Sequence, residues 1–281
     1  QEPLVVLQLT HSGRQSAPNG EPQPLIAKHS EMFDQSCGIS SDYPVLSDAE
    51  LMRIEDDFVG AAELAAAAGF DALDLKACHG YLIHELLCSY EESSSKYRGD
   101  FLNRISFLLE LTQRIASKIP ELILASRLVL YDNIPFPDGW GVTKNGGTEP
   151  DLAEPVKLIK RLKEAGLELL SVAFGNPYYD PFLERPYDKP LEEESLPERH
   201  PLSSISKNLE ITSRIGDRFP DIYKVGGGIS WLREYFPNVA AAMKEKGRID
   251  GIGLGRIALA NPDFANELLR EGKIDRNNLC I

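Results

Sequence analysis

The sequence lacks paired cysteines, a long apolar run and an excess of basic residues. Its four cysteines are scattered, with no C-x-x-C pair: Cys37, Cys78, Cys88 and Cys280. No apolar run approaches the ~18 residues that a membrane-spanning helix needs. No basic-then-apolar signal segment opens the chain. We therefore expect reduced thiols in a soluble, cytoplasmic protein.

The charge balance argues against polyanionic partners. The 281 residues include 30 Lys and Arg against 43 Asp and Glu, a formal net charge of −13. Such a chain is unsuited to a general nucleic-acid or anionic-membrane surface, although a local basic pocket can still hold a phosphate. Small-molecule chemistry is the expected class. The sequence does not fix the oligomeric state and is compatible with a homo-oligomer.

Short apolar runs alternate with helical patterns through most of the chain. One helix is predicted from Ser47 as its N-cap, with Glu50 as the capping-box partner and Gly69 just past its end. A second helix is predicted in "AEPVKLIKRLKEAGLELLSVA" (153–173), where Gly166 ends the helix and a strand follows at once. Six strands are predicted, over residues 4–9, 72–76, 122–129, 167–173, 222–227 and 250–255.

This alternation predicts parallel strands joined by helical crossovers, in an open doubly wound sheet or a closed (β/α)₈ barrel. Polar residues stand at the carboxyl ends of the strands, among them Gln8, Lys76 and Arg127. In a barrel those ends share one rim, where active sites lie. Six strands do not close an eight-stranded barrel, so we expect about two strands to precede residue 1.

Two glycine loops follow the last two predicted strands. The segment "KVGGGIS" contains Gly227 and Gly228, and "GIGLGRIALANPD" contains Gly255 and Arg256. Glycine lets backbone N–H groups approach a phosphate closely, and a guanidinium adds complementary charge. Loops in this position of a barrel commonly hold a phosphate.

Taken together, the motifs resemble the Old Yellow Enzyme family, the FMN-dependent NADH:flavin oxidoreductases and ene-reductases. Their order and spacing along the chain carry the resemblance. The matching segments are "QLTHSGR" (8–14), "FVGAAELAAAAGFDALDLKACHGYLIHELL" (58–87), "YRGDFLNRISFLLE" (97–110), "ASRLVLYD" (125–132), "VGGGIS" (225–230) and "DGIGLGRIALANPDF" (250–264).

The resemblance implies a TIM barrel that binds FMN as a single domain over residues 1–281. Residue 1 would fall near the third strand, so the N-terminal two strands are absent or not shown. Gln8 resembles the side chain that hydrogen-bonds the flavin pyrimidine edge, and Arg127 the arginine near flavin N1. The FMN phosphate would be held by Gly227, Gly228, Gly255 and Arg256.

The resemblance also implies a reaction. NAD(P)H would reduce FMN, which would pass a hydride to an activated alkene, and Tyr81 would supply the proton. Lys76 and His79 occupy the positions of the family pair that holds the substrate oxygen. Lysine is a departure from the usual histidine, and as a compact cation it should favour a more anionic oxygen, such as an enolate or carboxylate.

Other functions stay open. Lys76 at a strand end could form a Schiff base in an aldolase-type lyase, or the barrel could be a non-catalytic binding module. His79 and His84 have no clear third ligand, so no metal site is predicted. Cys280 resembles the start of an iron–sulfur segment, but a cluster needs about four thiolates. We expect one only if a longer parent chain continues beyond Cys280.

Overall fold

The computed structural model describes residues 3–91, 94–188 and 198–279. The chain divides into two compact units, Gln1–Leu169 and Leu170–Ile281. Whether both units belong to one domain over residues 1–281, as the sequence analysis expects, stays a prediction. Cys280, the residue behind the iron–sulfur expectation, lies outside the described residues.

The first unit alternates strands and helices, as the apolar periodicity predicts. Its strands are β1 (Val6–Leu9), β2 (Ala72–Ala77) and β3 (Ile123–Tyr131). Its helices are α1 (Glu31–Cys37), α2 (Asp48–Ala67), α3 (Leu82–Leu87), α4 (Phe101–Lys118) and α5 (Ala153–Glu164).

The three strands of the first unit pair in parallel and in chain order. Gln8 is in register with Asp74, and Lys76 is in register with Arg127. Side chains alternate between the two faces of a strand, and residues in register on neighbouring strands share a face. Gln8, Asp74, Lys76 and Arg127 therefore stand on one face of this sheet.

The long helix α2 begins where the sequence predicts. The Ser47 side chain accepts from the Glu50 backbone N–H, and the Glu50 carboxylate accepts from the Ser47 N–H, which completes a capping box. The helix ends before Gly69, whose φ of +84° suits glycine. Its buried face packs on α4, where the Phe58 and Phe107 rings meet edge to face at 6.2 Å. Burying such aromatic faces is a main source of stability.

The second unit carries the remaining strands, β4 (Leu169–Phe174), β5 (Tyr223–Gly226) and β6 (Gly251–Ile252). Its helices are α6 (Pro181–Glu184), α7 (Pro201–Arg218), α8 (Phe236–Glu245), α9 (Arg256–Ala260) and α10 (Phe264–Glu271). Strands β5 and β6 are parallel neighbours. A buried cluster includes Ile205, Ile229, Phe236, Ile257 and Ile274.

All six predicted strands are present, but one prediction is wrong in length. The last strand was expected over residues 250–255, and β6 contains only Gly251 and Ile252. The Gly253 N–H still donates to the Gly226 carbonyl at 2.7 Å, after which the chain leaves the sheet. Gly253 and Gly255 favour a loop over a strand, because glycine loses more conformational freedom when it is fixed.

Within the described ranges, no helix combines the length and the apolar character needed to cross a membrane.

Candidate active site

A buried carboxylate joins two of the predicted site residues. Gln8 Nε2 donates to Asp74 Oδ2 at 2.6 Å, and the Arg127 backbone N–H donates to Asp74 Oδ1 at 2.6 Å. Asp74 is 8% exposed, and burial raises the pKa of its carboxyl although both hydrogen bonds act in the opposite direction. Because Asp74 accepts one of the two Gln8 amide N–H groups, the other N–H and the carbonyl oxygen of Gln8 are left for a ligand.

Lys76 lies against the ring of Tyr81. The Lys76 ammonium nitrogen is 3.4 Å from the Tyr81 ring centroid, within the range of a cation–π interaction. Both side chains are half-buried. Among the described residues, Lys76 forms no hydrogen bond or ion pair with a carboxylate, so its charge is available to an anionic ligand. The structure thus brings a cation and a phenol together.

The turn between β2 and α3 is left-handed at two consecutive residues. His79 has φ +64° and Gly80 has φ +70°. Glycine adopts this conformation freely, whereas for histidine it costs on the order of 1 kcal/mol. The turn places His79, which is 7% exposed, two residues before Tyr81, the N-cap of α3. A strained residue held this way is typical of functional turns.

The segment after β1 is fixed to α3 by a buried ion pair that the sequence analysis did not anticipate. Arg14 Nε donates to Glu85 Oε1 at 2.8 Å, and Glu85 Oε2 accepts from the Ala27 N–H at 2.6 Å. Gly13 has φ +58°, and a Cβ there would lie 2.8 Å from the Leu82 nitrogen. Only glycine allows this close approach, which explains the "HSGR" of the first motif.

The glycine loops of the second unit start from neighbouring strand ends. Gly227 and Gly228 follow β5, while Gly255 and Arg256 follow β6. The two strands are in register at Gly226 and Ile252, which brings the starts of both loops together. A Cβ at Gly255 would meet no heavy atom within 4 Å among the described residues, so this loop borders open space.

The predicted site residues thus form two groups. The first unit contains Gln8, Lys76, His79, Tyr81 and Arg127 on one sheet face and the adjoining turn. The second unit contains Gly227, Gly228, Gly255 and Arg256 in two adjacent loops. Sequence reasoning missed Asp74, although its position two residues before Lys76 on the same strand face was a usable signal.

Comparison with known proteins identifies the family. Residues 1–169, more than half of the chain, match the NADH:flavin oxidoreductase / NADH oxidase family. The chain belongs to this family. The resemblance stated from the sequence motifs is therefore confirmed.

Curated relatives of the family match almost the whole chain. The chain is 26% identical to NADH-dependent flavin oxidoreductase nadA of Aspergillus parasiticus, over 96% of the chain and 55% of the relative. It is 28% identical to NADH oxidase of Thermoanaerobacter brockii, over 99% of the chain and 38% of the relative. The chain spans about half the length of the first of these relatives, and less of the second.

Solved structures show the same fold. Morphinone reductase in complex with tetrahydroNAD has a TM-score of 0.64 and 23% identity, covering 97% of this chain and 67% of its own. Histamine dehydrogenase from Rhizobium sp. 4-9 has a TM-score of 0.68 and 21% identity, covering 96% of this chain and 34% of its own. The predicted TIM (β/α)₈-barrel class is confirmed, with six strands in the described part of the chain.

Proposed function

We propose that the protein is an FMN-dependent oxidoreductase that takes reducing equivalents from NAD(P)H and reduces an electron-poor alkene or a related small molecule. The observation that carries the proposal is the shared sheet face of Gln8, Lys76 and Arg127, with Tyr81 in contact with Lys76. Family membership supports it, as do the relatives named flavin oxidoreductase and NADH oxidase.

The residues present fit a flavin. Gln8 would offer its carbonyl oxygen to an N–H of the flavin pyrimidine edge, while Asp74 holds one of the two Gln8 amide N–H groups. Arg127 would place positive charge near the N1 edge, where reduced flavin is negative. FMN, when bound, supplies the hydride acceptor and donor that amino-acid side chains lack.

The glycine loops of the second unit fit a phosphate. Gly227, Gly228 and Gly255 would donate backbone N–H groups, and Arg256 would add a guanidinium. The open space at the Gly255 Cβ position is what a bound phosphate at this loop requires. These four residues are therefore proposed to hold the FMN phosphate.

The remaining predicted residues act on the substrate. Tyr81 would give its phenolic proton to the substrate carbon, and His79 and Lys76 would hold the oxygen that activates the alkene. The Lys76 ammonium carries a full charge where a neutral imidazole would offer only a dipole. A substrate whose activating oxygen is anionic, such as a carboxylate, should therefore be preferred over a neutral ketone.

The Schiff-base reading is less well supported by the geometry. The contact between Lys76 and the Tyr81 ring is favourable for a cation, whereas a Schiff base forms from the neutral amine. Gln8 and Arg127 would also have no part in such a reaction. Borohydride trapping of a carbonyl substrate on Lys76 would favour the lyase over our proposal.

A reducing, cytoplasmic location is part of the proposal, because the four cysteines of the sequence are scattered and include no C-x-x-C pair.

The test begins with the cofactor. The purified protein should be yellow and release FMN on denaturation, and a colourless protein that does not bind added FMN would point to a binding module. Stopped-flow kinetics then separate flavin reduction by NAD(P)H from flavin reoxidation by an alkene. Tyr81→Phe should leave the first step nearly unchanged and slow the second by about 10²-fold or more, the range for a general acid.

Tyr223→Phe is the matched control. Tyr223 is the first residue of β5, at the end of that strand away from the glycine loop, and its hydroxyl donates to the Asp250 carbonyl at 3.3 Å. This substitution should change neither half of the reaction. Equal slowing of both halves in Tyr81→Phe would contradict the assigned role.

A further inference from the structure

A buried histidine stands behind the strained turn of the candidate site. His84 lies on α3 and is 2% exposed. Its Nδ1 accepts a hydrogen bond from the Gly80 N–H at 2.8 Å, and its Nε2 lies 3.1 Å from Asp132 Oδ2. The imidazole therefore links the turn after β2 to the segment after β3.

These contacts fix the tautomer of His84. A nitrogen that accepts from a backbone N–H carries no proton of its own, so the ring proton is on Nε2. Nε2 then donates to the Asp132 carboxylate. The imidazole has one role for each nitrogen, and both roles are filled within the protein.

Asp132 is itself anchored by backbone groups. It is fully buried, Oδ2 also accepts from the Trp140 N–H at 2.7 Å, and Oδ1 accepts from the Ile134 N–H at 3.0 Å. Hydrogen bonds from backbone N–H groups to a buried carboxylate are strong and directional. The position of His84 is therefore set by a rigid partner.

A metal site is the rival reading of the same residues. Ligand atoms of His84, Cys88 and Asp132 lie within 4.8 Å of one another. A ligating histidine needs a lone pair facing the metal, yet the only lone pair of His84 faces the Gly80 N–H. Burial also raises the pKa of the Cys88 thiol well above its usual range, which opposes the thiolate that a metal binds.

We propose that His84 and Asp132 are positioning residues that hold the turn at His79 and Gly80 in its left-handed form, and so place His79 and Tyr81 for the reaction. Neither side chain touches the substrate. The part of this inference that concerns catalysis rests on the proposed function, whereas the part that concerns the turn does not.

The decisive experiment compares His84→Asn with His84→Leu. The Asn Oδ1 can replace Nδ1 as acceptor for the Gly80 N–H, whereas Leu offers no acceptor. Hydrogen exchange at the Gly80 amide should be about tenfold faster in His84→Leu than in the wild type, and close to wild type in His84→Asn. Thr112→Val is the matched control, because it removes a buried hydroxyl of α4 that bonds only its own helix, at the Leu108 carbonyl.

The same variants, as holoenzymes, report on catalysis. His84→Leu should slow alkene reduction by about tenfold, leave flavin reduction by NAD(P)H within about twofold, and be rescued in His84→Asn. A general loss of stability would instead speed exchange at the Gly80 amide and slow both half-reactions to the same extent in His84→Leu and in Thr112→Val, and this outcome would overturn the proposal.

Zinc titration of the wild type tests the rival reading. We expect the wild type to bind no zinc at these residues. Zinc binding that is lost in His84→Leu and in Cys88→Ser would establish a metal site in place of the positioning role. If the protein binds no flavin while Gly80 exchange behaves as expected, the proposed function fails and the role of His84 in the turn stands.

Discussion

The buried carboxyl group of Glu55 should make the free energy of unfolding fall as the pH rises. This residue of α2 is 2% exposed, and the nearest guanidinium nitrogen, on Arg114, is 3.5 Å from Oε2. Burial, with a smaller contribution from the charge of Glu110, raises the pKa of Glu55 from 4.5 to about 7. Tyr97 and the nearby cations act in the opposite direction without cancelling this effect.

The size of the effect follows from linkage. Between pH 4.5 and 7 the carboxyl ionises in the unfolded chain but keeps its proton in the folded one. Each pKa unit is worth ~1.4 kcal/mol, so the free energy of unfolding should fall by about 3 kcal/mol across that interval because of this group. The stabilisation is complete below the unfolded pKa and is lost as the pH rises through the folded pKa.

Urea denaturation across this range measures the effect. Glu55→Gln removes the ionisation while keeping the shape, so its advantage over the wild type should grow by about 3 kcal/mol from pH 4.5 to 7 and then level off. Wild type and Glu55→Gln curves that run parallel over this interval would refute the reasoning.

Glu154 provides a control of opposite sign. Its carboxylate is 2.8 Å from Arg104 and 2.9 Å from Lys144. Although burial raises the pKa of Glu154, the hydrogen bonds and charges of Arg104 and Lys144 together outweigh it, and the pKa is lowered. Its stabilisation is present above the unfolded pKa and is lost as the pH falls through the folded value. Glu154→Gln should therefore be less stable than the wild type at neutral pH and approach it in acid.

Three further substitutions test the site. Lys76→His should lower the preference for a carboxylate-bearing alkene over a neutral enone by about tenfold in kcat/KM, since the point charge is lost; an unchanged ratio would remove Lys76 from specificity. Gly255→Ala should weaken FMN binding by about tenfold without lowering Tm, because its Cβ enters the open space where we place the phosphate. Gly228→Ala should cost about 1–2 kcal/mol of stability, because φ is +75° there and the Cβ would lie 3.1 Å from Asn208 Nδ2. Titration with FMN measures the loss of affinity in Gly255→Ala, and thermal melts measure the loss of stability in Gly228→Ala.

The sequence was sufficient where a feature depends on local chemistry. The capping box at Ser47 and the glycine at position 69 set the ends of α2 through neighbours a few residues away. The left-handed turn at His79 was not predicted, because tertiary contacts impose a conformation that histidine does not favour by itself. The short length of β6 was missed because the sequence pattern is ambiguous there: apolar residues flanked by glycine fit a strand or a loop equally well.

The candidate site shows the same division between local and long-range information. Lys76, His79 and Tyr81 are close in sequence, and motif reasoning could group them. Asp74 and His84 lie in the same segment, but their roles depend on partners at residues 8, 127 and 132, which periodicity does not identify. A polar residue inside an apolar strand or helix was the available signal, because a buried polar group needs a partner.

The turn between β2 and α3 connects these observations. Its left-handed conformation is unfavourable at His79 without support, and support comes from the bond between the neighbouring Gly80 N–H and His84. The carboxylate behind His84 follows β3, the strand that also carries Arg127. A disturbance of β3 would therefore reach the proposed flavin edge and the turn together, because one strand positions both. Substitutions at Asp132 should for this reason affect more of the site than substitutions at His84, which holds only the turn.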